Sequence, residues 1–263
     1  MNGTAYEKMH NAAAPNTPID LHLLREAALE FLFPRRCPFC DAVLGGQLEC
    51  PDCAARLKPL ALPQKRLAPA THYFGRLEQA AADYRYAGAV RQAVLRMKYG
   101  GCRWYARELG SRMARDLFGC TFFRRYGILL PERALWGKLA YDVIVPVPKS
   151  SRRRGYNVPL LLAEPLAGAL GLPIQAEALR RVRCTQHQAG LSLEERLVNV
   201  AGAFCAGRAC DVEGQRVLLV DDVITTGATA AACTEALLKA GAEQVSAVGF
   251  ASSQWQQDLE LPE

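Results

Sequence analysis

The sequence predicts an α/β protein, a parallel sheet flanked by helices, with a small N-terminal helix and four-cysteine module beside it. Three observations lead there. Val217-Leu218-Leu219-Val220 is an unbroken apolar run, the pattern of a buried parallel strand, and helical apolar spacing follows it at Ala232, Ala236, Leu237 and Ala240. A second run rich in β-branched residues, Val143-Ile144-Val145-Pro146-Val147, has the same character. Two C-x-x-C pairs, Cys37-Pro38-Phe39-Cys40 and Cys50-Pro51-Asp52-Cys53, lie on a segment too short to hold itself folded by a core of its own.

Composition bounds the options. With 263 residues, 50% of them hydrophobic, the chain can bury one large core, or one core plus a small module. A net charge of +6 permits contact with phosphates or nucleic acid without demanding it. No run approaches a membrane span, and the N-terminus lacks the basic-then-apolar order of a signal peptide, so a cytosolic protein is expected. Ten cysteines in that setting do not read as a disulfide framework: clustered ones suggest metal, scattered ones core thiols.

In chain order, residues 1–18 are small and polar with two prolines and are expected to be disordered. Residues 19–33 predict a helix, with Leu23, Leu24, Ala27, Ala28, Phe31 and Leu32 on one face and Pro34 as the stop. The two C-x-x-C turns let Cys37, Cys40, Cys50 and Cys53 converge tetrahedrally on one Zn²⁺, across a nine-residue loop that Gly45-Gly46 can tighten. Free thiols or a redox pair are the alternatives, but the βαβ context of a redox motif is missing. Four thiolates leave no open position for water, which makes the role structural. Arg35, Arg36, Arg56 and Lys58 flank the module as a solvated rim or a nucleic-acid contact.

Residues 57–71, with Pro59, Pro63 and Pro69, read as a linker. A short strand over 80–86 and helices over 90–97 and 104–117 come next, the helices parted by Gly100-Gly101, and 124–139 reads as irregular. The strands 143–147, 217–220 and 245–250 form the parallel core, with 157–170 and 228–240 as crossover helices. The expected organisation is a tail (1–18), a helix and zinc-binding module (19–58), an α/β domain (72–252) and a second tail (253–263).

The chemistry lies where these strands end. Asp221 and Asp222 stand just before Val223-Ile224-Thr225-Thr226-Gly227-Ala228-Thr229, at the carboxyl edge where open α/β sheets bind ligands. Gly227 permits positive φ and close backbone approach. The helix-start N–H groups and the hydroxyls of Thr225, Thr226 and Thr229 then suit a phosphate. Carboxylates accept hydrogen bonds from ribose hydroxyls better than neutral side chains do. The run is neither a Walker A loop nor a dinucleotide fingerprint. The plain structural alternative is a strand ending in two helix-capping aspartates. Lys149, Arg152, Arg153 and Arg154 follow the strand at 143–147 through a prolyl turn, a place suited to a diphosphate.

Asp221-Asp222-Val223-Ile224-Thr225-Thr226-Gly227-Ala228-Thr229 resembles the phosphoribosyl-pyrophosphate (PRPP) signature of type I phosphoribosyltransferases. The resemblance implies that Asp221 and Asp222 hold the ribose hydroxyls, that residues 225–229 cradle the 5-phosphate, that Lys149 and Arg152 to Arg154 form the pyrophosphate loop, and that Mg²⁺ accompanies PRPP. The double C-x-x-C module, Pro146-Val147-Pro148, Arg154-Gly155-Tyr156-Asn157, then Thr185, Gln188, Leu191, Arg196, Asn199 and Phe204 narrow this further. Together they are similar to the ComF/GntX family of competence and DNA-utilisation proteins. Two departures stand out. Family members usually read R-G-F-N-Q where this chain has Tyr156 and Val158, and Pro165 interrupts the next helix, which implies a kink or a later start.

That resemblance opens three uses of one pocket: phosphoribosyl transfer to an unidentified acceptor, non-catalytic handling of single-stranded DNA, and PRPP sensing. It further implies a helicase-like ATPase as partner and association with the inner face of the membrane through a DNA-uptake complex. Arg103, Trp104, Tyr105, Arg124, Arg125 and Tyr126 supply charge and stacking surface for DNA, outside any recognised nucleic-acid motif.

Overall fold

Strands that are apolar on both sides are stable only between two layers of cover, and the sheet formed here has both. The computed structural model describes residues 25, 28–29, 31–45, 47–67, 77–125, 128–149, 155–182 and 202–253. In chain order the elements are α1 (Pro51–Leu57), β1 (Gln79–Arg85), α2 (Gly88–Tyr99), α3 (Tyr105–Phe118), β2 (Phe122–Arg125), β3 (Ile128–Pro131), β4 (Val143–Pro146), α4 (Val158–Leu170), β5 (Leu179–Arg181), β6 (Phe204–Ala206), β7 (Arg216–Ile224), α5 (Ala228–Lys239) and β8 (Gln244–Ser252). The expected N-terminal tail, nearly all of the C-terminal one, Tyr126, Arg152, Arg153, Arg154, Thr185, Gln188, Leu191, Arg196 and Asn199 lie outside the described residues. Of the helix expected over 19–33, Arg25, Ala28, Leu29, Phe31, Leu32 and Phe33 are described; the first five are helical and Phe33 is a bend.

The central sheet is parallel throughout, in the order β1-β8-β7-β4. Register aligns Val145 with Leu219 and Pro146 with Val220, so the chain leaves β4 and β7 side by side at one edge. Ile144, Leu218, Val220 and Phe250 share a buried cluster with α2, α3 and α4. Val143, Val145, Val217 and Leu219 share another with α5 and the β5–β6 hairpin. Each such Leu or Ile contributes about 1.5–3 kcal/mol by leaving water. Among the described residues no helix is long and apolar enough to cross a membrane.

Several elements differ from expectation for physical reasons. Residues 61–67 are no slack linker. They run antiparallel along β1, with bridges Ala61 to Tyr84 and Arg66 to Ala81, and Leu62 and Leu67 donate N–H bonds to Asp83 and Ala80. The supposedly irregular stretch contains the β2–β3 hairpin, and strand β7 runs on through both aspartates to Ile224. Helix α4 begins directly after Asn157 and carries Pro165 inside it. Its neighbour makes room: a Cβ on Gly110 of α3 would lie 2.4 Å from the Pro165 ring.

Candidate functional site

The carboxyl edge of the sheet gathers the chemistry. Gly227, at φ 80° and ψ −4°, is the N-cap of α5, a left-handed conformation that side chains with a Cβ rarely adopt. The turn before it is braced by the Ala228 N–H, which donates to Thr226 Oγ1 at 3.4 Å, and by the Ser253 N–H donating to the Ile224 carbonyl at 3.2 Å. Thr226, Gly227 and Ala228 are buried, while Thr225 and Thr229 keep partial contact with solvent. The opening N–H groups of α5 therefore converge beside hydroxyls at one mouth, an arrangement suited to an anion.

Asp222 is buried, and its Oδ2 meets the Lys98 ammonium of α2 at 2.6 Å. Asp221 accepts the Asp222 backbone N–H at 2.8 Å through Oδ1. It keeps some solvent contact, yet protein crowds it on most sides, and that crowding governs its ionisation. Burial first, then the charge of Asp222, pushes the Asp221 carboxyl up to about 7. Burial pulls Lys98 down, but Asp222 and then Asp221 outweigh it and hold the ammonium above its usual range. Tyr86, just after β1, has its phenol raised by burial and lies in the field of Lys98 and Asp222.

Lys149 is exposed just beyond β4 and leaves the same sheet edge as the two acids. The base of its loop is pinned, since Asn157 Nδ2 donates to the Val147 carbonyl at 3.0 Å and the Tyr156 hydroxyl to that of Met97 at 2.6 Å. The structure thus brings together Asp221, Asp222, Thr225, Thr226, Gly227, Ala228, Thr229 and Lys149.

At the other end of the chain, the thiols of Cys37, Cys40, Cys50 and Cys53 all lie within 4.8 Å of one another. The Sγ atoms of Cys40 and Cys50 are 3.8 Å apart, as required by a tetrahedron with ligands at about 2.3 Å. Two local devices place them. Asp41, in the left-handed region at φ 65°, turns the first pair, and the second pair sits on the opening turn of α1 with Pro51 at a tolerated first position. The quartet fits a zinc ion closed to water.

With that geometry in hand, comparison with known proteins is informative. The phosphoribosyl transferase domain family matches residues 133–254. A DNA utilization protein YhgH of Salmonella typhimurium is 39% identical over 143 residues, covering 52% of this chain and 58% of the relative. Competence protein F of Haemophilus influenzae is 39% identical over 114 residues, 42% of this chain and 50% of that protein. DNA utilization protein YhgH of Escherichia coli is 31% identical over 199 residues, 74% of this chain and 80% of the relative. The chain belongs to the ComF/GntX family.

In this ComF/GntX protein the fold is accordingly a type I phosphoribosyltransferase-like α/β domain, and the cysteine module packs onto its helix α3. Arg35 forks onto Glu108, with Nε at 2.7 Å and Nη2 at 2.5 Å. Glu49 meets Arg112 at 2.8 Å and Arg115 at 3.3 Å, and the Tyr105 hydroxyl donates to Asp41 at 2.8 Å. Two nucleic-acid candidates are thereby spent: Arg35 is buried in its ion pair, and Tyr105, 2% exposed, cannot stack on a base. Lys98, which meets Asp222, is a residue of this edge that sequence reasoning missed. A lysine near a helix C-terminus reads as an ordinary complement to the helix dipole, so nothing in the spacing marked it.

Proposed function

We propose that the chain binds Mg-PRPP at the β7–α5 turn and acts as a phosphoribosyltransferase-family protein in DNA uptake or utilisation. The observation that carries this reading is the acid pair Asp221 and Asp222 standing one strand end from a glycine-capped helix start, with the Lys149 loop leaving the adjacent strand. Asp221 and Asp222 orient the ribose hydroxyls, residues 225–229 anchor its phosphate, and Lys149 with Arg152, Arg153 and Arg154 meets the diphosphate. Mg²⁺ carried by the diphosphate would offset its charge. In turnover, departure of pyrophosphate from C1 leaves a cationic ribosyl centre that the fixed charges around it stabilise. Zn²⁺ on Cys37, Cys40, Cys50 and Cys53 is structural in this account, and the protein works in the cytoplasm.

A second reading, non-catalytic handling of single-stranded DNA, draws support from one surface feature. An open cleft of about 460 Å³ is lined by Arg103, Trp104, Arg107, Tyr156 and Glu164, and Trp104 is 57% exposed. A helicase-like ATPase and the inner face of the membrane belong to this reading and to that of DNA uptake.

Incubation of the zinc-loaded protein with Mg-PRPP and a panel of nitrogen acceptors separates the readings. Acceptor-dependent release of pyrophosphate supports transfer. PRPP binding without release leaves sensing or DNA handling, which salt-dependent single-stranded DNA affinity distinguishes. Lys149→Ala and Arg154→Ala should weaken PRPP more than ribose 5-phosphate. Variants that bind PRPP normally and lose DNA would reassign the loop.

A further inference from the structure

Lys98 has a position that a surface lysine would not have. It sits one residue before the end of α2, yet its side chain is 22% exposed and its ammonium touches Asp222 of β7 at 2.6 Å. Met97, immediately before it, accepts the Tyr156 hydroxyl at 2.6 Å through its carbonyl. Asn157 in turn holds Val147 at the foot of β4. Helix α2, the foot of the Lys149 loop and the acid pair are therefore connected in one chain of polar contacts.

We propose that Lys98 is a binding residue for the diphosphate side of PRPP, held in register by a latch in which Tyr156 ties α2 to the loop after β4. The proposal rests on the PRPP reading of the site. An ammonium has three donors and one of them is engaged by Asp222, so it can bridge that carboxylate and an anion arriving beside it. Without such a bridge, two carboxylates would face an incoming polyanion across the pocket. Lys149 meets the diphosphate from an exposed position where water screens its charge, whereas the shielded Lys98 acts at a lower effective dielectric. The retained charge of Lys98 agrees with this role.

A purely structural counter-ion predicts something different. Removing it would free Asp222, and would change affinity for PRPP and ribose 5-phosphate alike or improve both. Calorimetric titrations of Mg-PRPP and ribose 5-phosphate into the parent, Lys98→Met, Lys98→Arg and Tyr156→Phe proteins, each first shown to be folded by circular dichroism, decide between the two. The expected result is a loss of about tenfold or more in PRPP affinity for Lys98→Met, with ribose 5-phosphate much less affected and partial recovery in Lys98→Arg. Tyr156→Phe should lose about threefold to tenfold for PRPP, and combining it with Lys98→Met should add little, because both act through one bridge. Equal losses for the two ligands, or PRPP affinity unchanged in Lys98→Met, would overturn the proposal while leaving PRPP binding intact. No binding of Mg-PRPP by the parent would overturn both.

Discussion

Gly110→Ala separates what the structure says from what helix propensity alone would say. Gly110 lies inside α3, and replacing an interior helical glycine by alanine ordinarily gains about 1 kcal/mol. Here the added Cβ would lie 2.4 Å from the Leu162 carbonyl oxygen and 2.4 Å from the Pro165 ring of α4. Neither obstacle is the end of a flexible side chain, so the two helices must separate, and overpacking of that kind reaches about 3 kcal/mol. The net expectation is a loss of about 2 kcal/mol, or roughly 4–8 °C in midpoint for a chain of this size. Gly168→Ala is the internal control: that glycine is also helical, and its added Cβ would meet nothing within 4 Å. It should be neutral or stabilising by up to about 1 kcal/mol. Urea unfolding of the zinc-loaded proteins, read as a shift in midpoint at constant slope, is the assay. A Gly110→Ala protein as stable as Gly168→Ala would refute the close packing of α3 on α4.

Three further outcomes follow from the geometry. Glu108→Ala removes the carboxylate onto which the buried Arg35 guanidinium forks and should cost about 3 kcal/mol in the same unfolding assay; a loss below about 0.5 kcal/mol would mean the pair is not buried as described. Freshly purified protein should carry one zinc per chain by metal analysis, and Cys40→Ser should lose it, whereas metal retained by that variant would displace the ion from the quartet. Because Asp221 is raised to about 7 and the ribose hydroxyls need its ionised form, Mg-PRPP affinity should strengthen from about pH 6 to about pH 8, and Asp221→Asn should lose that part of the dependence. For folding the sign is opposite: with a folded value above the unfolded 3.8, native Asp221 retains its proton between the two, so its contribution to stability falls as pH rises through that window.

Strands β4, β7 and β8 were legible because they are continuous apolar runs, and the turn after β7 stood out as a candidate site because carboxylates, hydroxyls and a glycine fall together at a strand end. Other features depend on partners distant in sequence. The prolines of 57–71 suggest slack chain, but residues 61–67 find their hydrogen-bond partners on β1, between Ala80 and Tyr84, which no local pattern encodes. Pro165 reads as a helix interruption until Gly110, on another helix, is seen to give its ring space. Lys98 carries no motif of its own, and the motif that contains Tyr156 does not say what its hydroxyl meets; their significance comes from Asp222 and from the Met97 carbonyl, which only the fold brings to them. Arg35 likewise reads as a solvated rim charge until Glu108 buries it.

The account stands on PRPP occupying the turn that Gly227 opens. Isothermal titration of Mg-PRPP into the zinc-loaded parent and Gly227→Val proteins tests that directly. The parent should bind. The variant should not, since a β-branched residue at φ 80° is forced out of the left-handed region and fills the phosphate cup, although it stays folded by circular dichroism. Equal affinity in the two folded proteins, or no heat of binding in the parent, would contradict the central claim.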